Sequence, residues 1–281
     1  LNRRQFVGRA AAAAAFPYVV RSSALGRAGT IAPSNRVTIG HIGVGSQGSS
    51  LMRRFLQNPD AQVAAVCDVK SDKLRQAAKR VEEAYGTAGC RRYGDFRDLL
   101  ADETIDAVCV ATTDHWHVLP SLEAARAGKD VYLEKPMGLS LAEDQALRQA
   151  CQRHGTVFQF GTQQRSDVKF RQACELALNG YLGKVHTINV MSPASIEGGA
   201  LKPAPVPEGL DYDFWLGPAP YVAYTEGRCS NTLWWFNTDY SVGWIAGWGV
   251  HPLDIALWGG GDNVTGKVQL SGSGTIPADG F

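Results

Sequence analysis

Residues 36–60 read RVTIGHIGVGSQGSSLMRRFLQNPD, and the order of residue types in this stretch decides the architecture. Val37 to Ile42 is an apolar run of strand length, which predicts a buried strand. Leu51, Met52, Phe55 and Leu56 recur at helical spacing and stop at Asn58-Pro59, which predicts a helix ending there. Between them, Gly43, Gly45 and Gly48 form G-x-G-x-x-G. Gly43 permits the tight turn, Gly45 lets the backbone approach a pyrophosphate, and Gly48 lets the helix pack closely on the strand. The phosphates would then lie at the helix N-terminus, with Gln47 among the cofactor contacts. A second strand-like run, AQVAAVCD, ends in Asp68, twenty residues after Gly48. A carboxylate there accepts hydrogen bonds from the adenosine ribose and repels a 2′-phosphate, so the expected cofactor is NAD rather than NADP.

The alternation continues along the chain. A helix carrying Leu74, Ala78 and Val81 leads to the short helix DFRDLLAD, the strand IDAVCVAT, and a helix opened by Pro120 and closed by Gly128. The strand VYLE follows, then Ser140 and Glu143 at capping-box spacing before a helix that ends at Gly155, then the strand TVFQF. Strands alternating with helices predict an α/β fold with a doubly wound parallel Rossmann sheet.

The chain opens LNRRQFVGRAAAAAAFPYVVRSSALGRAG. Paired arginines, a short apolar run and small residues at Ser22 and Ala24 match the three regions of a secretory signal, with RRQFV similar to a twin-arginine export signal. The apolar run is too short to span a bilayer and Pro17 interrupts it, so no permanent membrane anchor is expected. Cleavage after Ala24 removes four arginines and no acid, moving the formal charge from +1 to −3 and arguing against nucleic acid as a partner. A dinucleotide protein bound for the periplasm should be loaded with its cofactor while folding in the cytoplasm, which suits a route, the twin-arginine (Tat) export machinery, that carries folded cargo. The six cysteines lie in strand-like or helical runs without C-x-x-C spacing, which points to buried thiols rather than disulfides or a metal site.

GVGSQG with Asp68, TTDHWH, Glu134-Lys135-Pro136, GTQQRS and GWGVHPLDIALWG together resemble the glucose-fructose oxidoreductase and inositol dehydrogenase family, Gfo/Idh/MocA, from about Asn35 onward. With the signal peptide and linker at 1–33, the resemblance implies an NAD(P)-binding Rossmann domain at 34–160 and an α/β substrate and oligomerisation domain with an open-faced sheet at 161–281. That last sheet is expected to be incomplete, because the chain ends soon after His251. A homo-oligomer is also implied.

Oxidising a secondary carbinol removes a hydride from carbon and a proton from oxygen, so the site needs a base and an oxyanion-stabilising donor. The resemblance makes Lys135 the proton-relay and substrate-binding residue and His251 its base or hydroxyl ligand. Many members carry an aspartate four residues before this histidine, where this chain has Gly247; Asp254 and Asp239 are the candidate substitutes. Thr112, Asp114, His117 and Glu134 are expected at the cofactor, and Gln163, Gln164 and Arg165 in the cleft between domains. His115 and His117 flank Trp116, but no metal is expected. Six of the seven tryptophans fall between Trp215 and Trp258, which leans toward a carbohydrate substrate. The expected activity is exported, nicotinamide-dependent oxidation or reduction of a sugar, cyclitol or glycoside. The alternatives are glycoside cleavage through transient oxidation, elimination and re-reduction, and a catalytically inactive cofactor-loaded binding protein.

Overall fold

A computed structural model describes residues 31–193, 202–230, 233–264, 266–267, 269 and 271–274. The arginine pair and apolar run of the expected export signal lie outside these residues. The strands are β1 (Val37–Ile42), β2 (Ala61–Cys67), β3 (Arg91–Tyr93), β4 (Ala107–Val110), β5 (Asp130–Leu133) and β6 (Phe158–Phe160). The helices between them are α1 (Ser46–Gln57), α2 (Ser71–Tyr85), α3 (Phe96–Leu100), α4 (Val118–Arg126) and α5 (Leu141–His154).

Parallel neighbours require a crossover, and each crossover here carries a helix with one apolar face. The six strands pair in parallel in the order β3-β2-β1-β4-β5-β6. α1 and α2 cover one face through Met52, Ala78 and Val81, packed on Val63 and Val66. α3, α4 and α5 cover the other through Leu99, Ala124 and Leu147, packed on Val108, Val110 and Leu133. The capping box at α5 is formed: Glu143 N donates to Ser140 Oγ and Ser140 N donates to Glu143 Oε2, and the helix ends at Gly155 with φ 68°. β3 was not apparent in the sequence, because Arg91-Arg92-Tyr93 has no apolar alternation and serves as a short edge strand.

The chain winds outward from β1 to β3 and returns to β4, so the sheet's order reverses between β1 and β4. The carboxyl ends of those two strands form a crevice where open α/β sheets take their ligands.

After β6 come α6 (Val168–Leu178), α7 (Tyr212–Leu216), α8 (Gly243–Gly247) and α9 (Val250–Gly260), with α6 packed on α9. Among the described residues this region forms isolated bridges, Lys70 with Leu210 and Pro203 with Thr225, and no paired strand of an open-faced sheet. Its core is aromatic: Tyr212, Trp215, Trp234 and Tyr240. All six cysteines are free thiols, five of them buried. No helix among the described residues is long and apolar enough to cross a membrane.

His41, in the middle of β1, is fully buried against Phe55, and neither ring nitrogen has a hydrogen-bond partner. Burial lowers its pKa to about 3. Because the unfolded ring binds a proton near pH 6.5 and the folded ring does not, His41 costs stability increasingly as pH falls below that value. Asp68, Asp114 and Glu134, whose pKa values burial raises, contribute in the opposite sense, so only a variant isolates the histidine. His41→Leu should equal or exceed the wild type in stability at pH 7, since it removes two unpaired polar atoms. Its advantage in urea unfolding should grow by about 1.4 kcal/mol per pH unit from about pH 6.5 downward. Parallel curves for the two proteins would show that the folded ring protonates freely.

Candidate active site

The site is built on the turn between β1 and α1. Gly43 has φ +83°, and a Cβ there would lie 2.6 Å from Ala111 O. A Cβ on Gly48 would lie 2.0 Å from Gly43 O, so only a hydrogen fits where the helix meets the turn. Gly45 differs: its φ is −63°, and a Cβ would meet nothing within 4 Å. The missing side chain therefore leaves open a cradle beside the α1 N-terminus, where no side chain caps the first turn. Uncapped N–H groups at a helix start suit a phosphate.

Asp68, at the end of β2, accepts from Val44 N through Oδ2 and from Lys70 N through Oδ1, each at 2.9 Å. It thus shapes the glycine turn, and each oxygen keeps a further lone pair for ribose hydroxyls. Burial raises its pKa, against the two N–H bonds and the Lys70 charge. Gln47 Nε2 donates to Glu134 Oε1 at 2.8 Å, tying the turn to the end of β5. These residues, with Thr112, Asp114, His117 and Lys135, border one cavity of about 410 Å³.

Asp114 is buried, 2% exposed, and its Oδ2 accepts from Ser241 Oγ at 2.8 Å. Burial pushes its pKa up to about 7, against the Ser241 bond and the Lys135 charge. The Lys135 ammonium lies 4.9 Å from the Trp235 ring centroid, a cation–π contact. Its field also acts on Glu134, His117 and His251. His251, in the first turn of α9, is buried, and its Nδ1 makes no hydrogen bond. Burial lowers its pKa, helped by Lys135 and opposed by Asp254.

His117 borders the cavity, yet both of its nitrogens face backbone carbonyls, Nδ1 toward Pro136 O and Nε2 toward Thr112 O at 3.2 Å. Burial takes its pKa to about 4, so the ring is neutral and donates only one hydrogen bond. Its single N–H is thus given to a backbone carbonyl, and both nitrogens face the backbone instead of a ligand. His115 Nε2 and Trp116 Nε1 both contact Trp215 O at 3.0 Å. Among the described residues no three His, Cys, Asp or Glu side chains are grouped to hold a metal.

Gln164, Arg165, His251 and Asp254 do not border the cavity. Gln164 sits half-buried in the 3-10 turn Gln163–Ser166. Arg165 grips Asp254 in a bidentate pair at 2.6 and 2.8 Å and lies over Trp258, 5.3 Å from its ring centroid. Both Asp254 oxygens are thus engaged, and the residue acts on His251 only through its field. Asp239 acts elsewhere: its backbone N donates to Asn237 Oδ1, and its charge acts on His115 and Tyr240. At Gly247 a Cβ would meet nothing within 4 Å.

The opposite wall comes from the region after β6, through Phe214, Trp215, Cys229, Trp234 and Trp235. It is anchored beside Asp68: Ser71 N donates to Gly209 O at 2.8 Å, Asp211 N to Val69 O at 3.0 Å, and Lys70 Nζ to Cys229 O at 2.9 Å. Sequence reading missed Ser241, Lys70 and these anchors, which carry no local signal. The clustering of tryptophans was visible, but not which of them reach the cavity.

The description "Oxidoreductase family, NAD-binding Rossmann fold" of Gfo/Idh/MocA matches residues 37–162, and its "C-terminal alpha/beta domain" matches residues 195–271. The chain is 31% identical over 176 residues to the myo-inositol 2-dehydrogenase of Thermotoga maritima, covering 62% of this chain and 47% of that protein. It is 39% identical over 111 residues to a glycosyl hydrolase family 109 protein of Saccharopolyspora erythraea, covering 38% and 24% respectively. A crystal structure of a probable dehydrogenase from Thermotoga maritima is 29% identical with a TM-score of 0.50, covering 61% of this chain and 47% of that one. The chain thus spans less than half the length of these relatives.

The two glycines make opposite predictions. Gly45→Ala should leave unfolding unchanged and weaken binding of the dinucleotide about tenfold or more, because the methyl fills the phosphate cradle. Gly48→Ala should cost about 1–3 kcal/mol of stability through overpacking against Gly43 O. Calorimetry and urea unfolding check both, and equal effects of the two changes would refute the assignment.

Proposed function

The chain belongs to the Gfo/Idh/MocA oxidoreductase family, and on that premise we propose that it oxidises and reduces a secondary hydroxyl of a sugar, cyclitol or glycoside with a tightly held NAD. The observation that carries this reading is the placement of Lys135 in the same cavity as the Gly43–Gly45 turn, over Trp235 and within the field acting on His251. The nicotinamide, when bound, supplies a two-electron acceptor and donor. The glycine turn and the α1 N-terminus hold its pyrophosphate, and Asp68 takes ribose hydroxyls and disfavours a 2′-phosphate. Lys135 relays the hydroxyl proton, releasing one of its own to water as it takes it up, and its ammonium steadies the developing oxyanion. Trp235 offers an aromatic face to a sugar ring. The inositol dehydrogenase and glycosyl hydrolase relatives support a polyhydroxylated substrate.

The anchored wall supports tight retention. The backbone bonds of Gly209 and Asp211 and the Lys70–Cys229 contact fasten the region after β6 against the Asp68 end of the cavity. This fixed wall supports a dinucleotide retained as a prosthetic group, for which the hydride taken from one substrate would have to go to a second substrate or back to the same one.

In single-turnover absorbance measurements, full-length protein should show bound nicotinamide reduced by its sugar with no added nucleotide. Lys135→Met should retain the cofactor and lose about 10²-fold or more in that step. Dependence on continuously added NAD, with release of free NADH, would refute the reading. The glycosyl hydrolase relative favours a second outcome, cleavage of a glycoside by transient oxidation, which release of an aglycone without net redox change would identify.

Export by the twin-arginine route belongs to the same proposal, since a protein retaining its cofactor is suited to translocation in the folded state. Replacing Arg3 and Arg4 with lysines should leave the protein folded, loaded and cytoplasmic; unchanged export on fractionation would refute the route.

A further inference from the structure

We propose that Trp235 is a positioning residue for this reaction: its indole face holds the Lys135 ammonium where the reacting hydroxyl binds, without occupying the N–H donors that the chemistry needs. The proposal rests on the redox reading above. It assigns to Trp235 an effect on the chemical step, apart from any stacking on a sugar.

Lys135 is fixed at one end and loose at the other. Its backbone follows β5, and its backbone N donates to Glu134 Oε2 at 3.2 Å. From there a long flexible stem leads to Nζ, which among the described residues has neither a hydrogen-bond acceptor nor an ion-pair partner. Nearby carboxylate oxygens are engaged elsewhere: Glu134 Oε1 accepts from Gln47 and Asp114 Oδ2 from Ser241. What the ammonium does meet is the ring of Trp235, 4.9 Å from its centroid and inside cation–π reach.

Among the described residues two other cations lie over rings, Arg97 over Phe96 and Phe214, and Arg165 over Trp258. Each of those also carries a salt bridge, Arg97 to Asp95 and Arg165 to Asp254. Lys135 rests on its ring alone. A carboxylate would take N–H donors directionally and neutralise the charge, whereas a π face attracts the charge and leaves the donors. The Lys135 N–H groups therefore stay free for a substrate oxygen, and the charge stays available to the oxyanion.

The ring is itself held in place. Trp235 sits in the 3-10 turn Trp234–Phe236, closed by Asn237 N donating to Trp234 O at 3.2 Å. Buried Trp234 and, from α8, Trp244 flank it in T-shaped contacts, with centroids at 5.4 and 5.1 Å and interplanar angles of 76° and 71°. Neighbours packed at such angles resist rotation of the ring. Lys135 comes from the Rossmann half and Trp235 from the region after β6, so this contact exists only when the two halves are packed.

The test uses cofactor-loaded full-length protein with myo-inositol, D-glucose and methyl β-D-glucoside as probes, and reads reduction of the bound nicotinamide by stopped-flow absorbance. At saturating probe, Trp235→Leu should slow reduction about tenfold while retaining cofactor, and Trp235→Phe, with its weaker π face, should fall between the two. Placing tryptophans of increasing fluorination at position 235 drains electron density from the ring face at nearly unchanged shape, and should slow the step progressively. A change confined to the probe concentration giving half the maximal rate would make Trp235 a sugar platform and overturn the positioning role.

A readout independent of turnover is the proton resonance of the Lys135 Cε methylene in protein carrying isotope-labelled lysine, identified by its loss in Lys135→Met. The indole ring current should displace it upfield in the wild type, and in Trp235→Leu it should return to the position of an exposed lysine. An undisplaced resonance in the wild type would overturn the proposal whatever the kinetics. If the resonance is displaced but none of the probes reduces the bound cofactor, the redox reading itself fails, and this role falls with it. Should Trp235→Leu fail to fold, rates that stay level across the fluorinated series overturn the assignment on their own.

Discussion

The close approach of Gly48 to Gly43 O is the constraint on which the site depends. A single added carbon at position 48 would stand 2.0 Å from that oxygen, so α1 meets the sheet at a distance that only glycine permits. This places the helix N-terminus at the carboxyl ends of β1 and β4, where the strand order reverses. Two side chains then hold the turn from other strands: Asp68 from β2 through Val44 N, and Glu134 from β5 through Gln47. Both are hydrogen bonds to carboxylates, the stronger kind. Loop, helix and three strand ends are therefore tied together around the open space at Gly45.

The second physical theme is desolvation. The aromatic wall of Trp215, Trp234 and Trp235 faces the polar ends of the Rossmann strands across the cavity. Burial raises the carboxyl pKa values of Asp68, Asp114 and Glu134 and lowers those of His115, His117 and His251. One cause thus drives acids and imidazoles alike toward neutrality. A neutral imidazole then has one N–H to give, which His117 gives to a backbone carbonyl, both its nitrogens facing Thr112 O and Pro136 O. Three lysines, Lys70, Lys73 and Lys135, border the same cavity.

Much of the Rossmann half was legible because its signals are local. Apolar runs located β1, β2, β4 and β5, helical spacing located α1 and α2, and Ser140 with Glu143 announced the start of α5. Only β3 escaped, since an edge strand of Arg91, Arg92 and Tyr93 needs no apolar pattern. The region after β6 was far less legible. Its described residues are stapled to the Rossmann half by backbone contacts such as Ser71 N to Gly209 O, to which a backbone group contributes no residue-specific signal. Asp254 looked available beside His251 in the sequence, but Arg165, 89 residues away, engages both of its oxygens.

What the sequence by itself determined is the doubly wound sheet, the glycine turn with Asp68 at the next strand end, and Lys135 at the end of β5. Those features follow from periodicity, from the steric demand for glycine, and from spacings of a few tens of residues. What only the tertiary structure decided is which polar atoms remain for chemistry. Ser241 reaches Asp114 across 127 residues, Trp235 lies over Lys135, and the nitrogens of His117 turn to the backbone. Hydrogen bonding and desolvation depend on distances of a few ångströms between segments remote in the chain, and those distances exist only once both halves have packed.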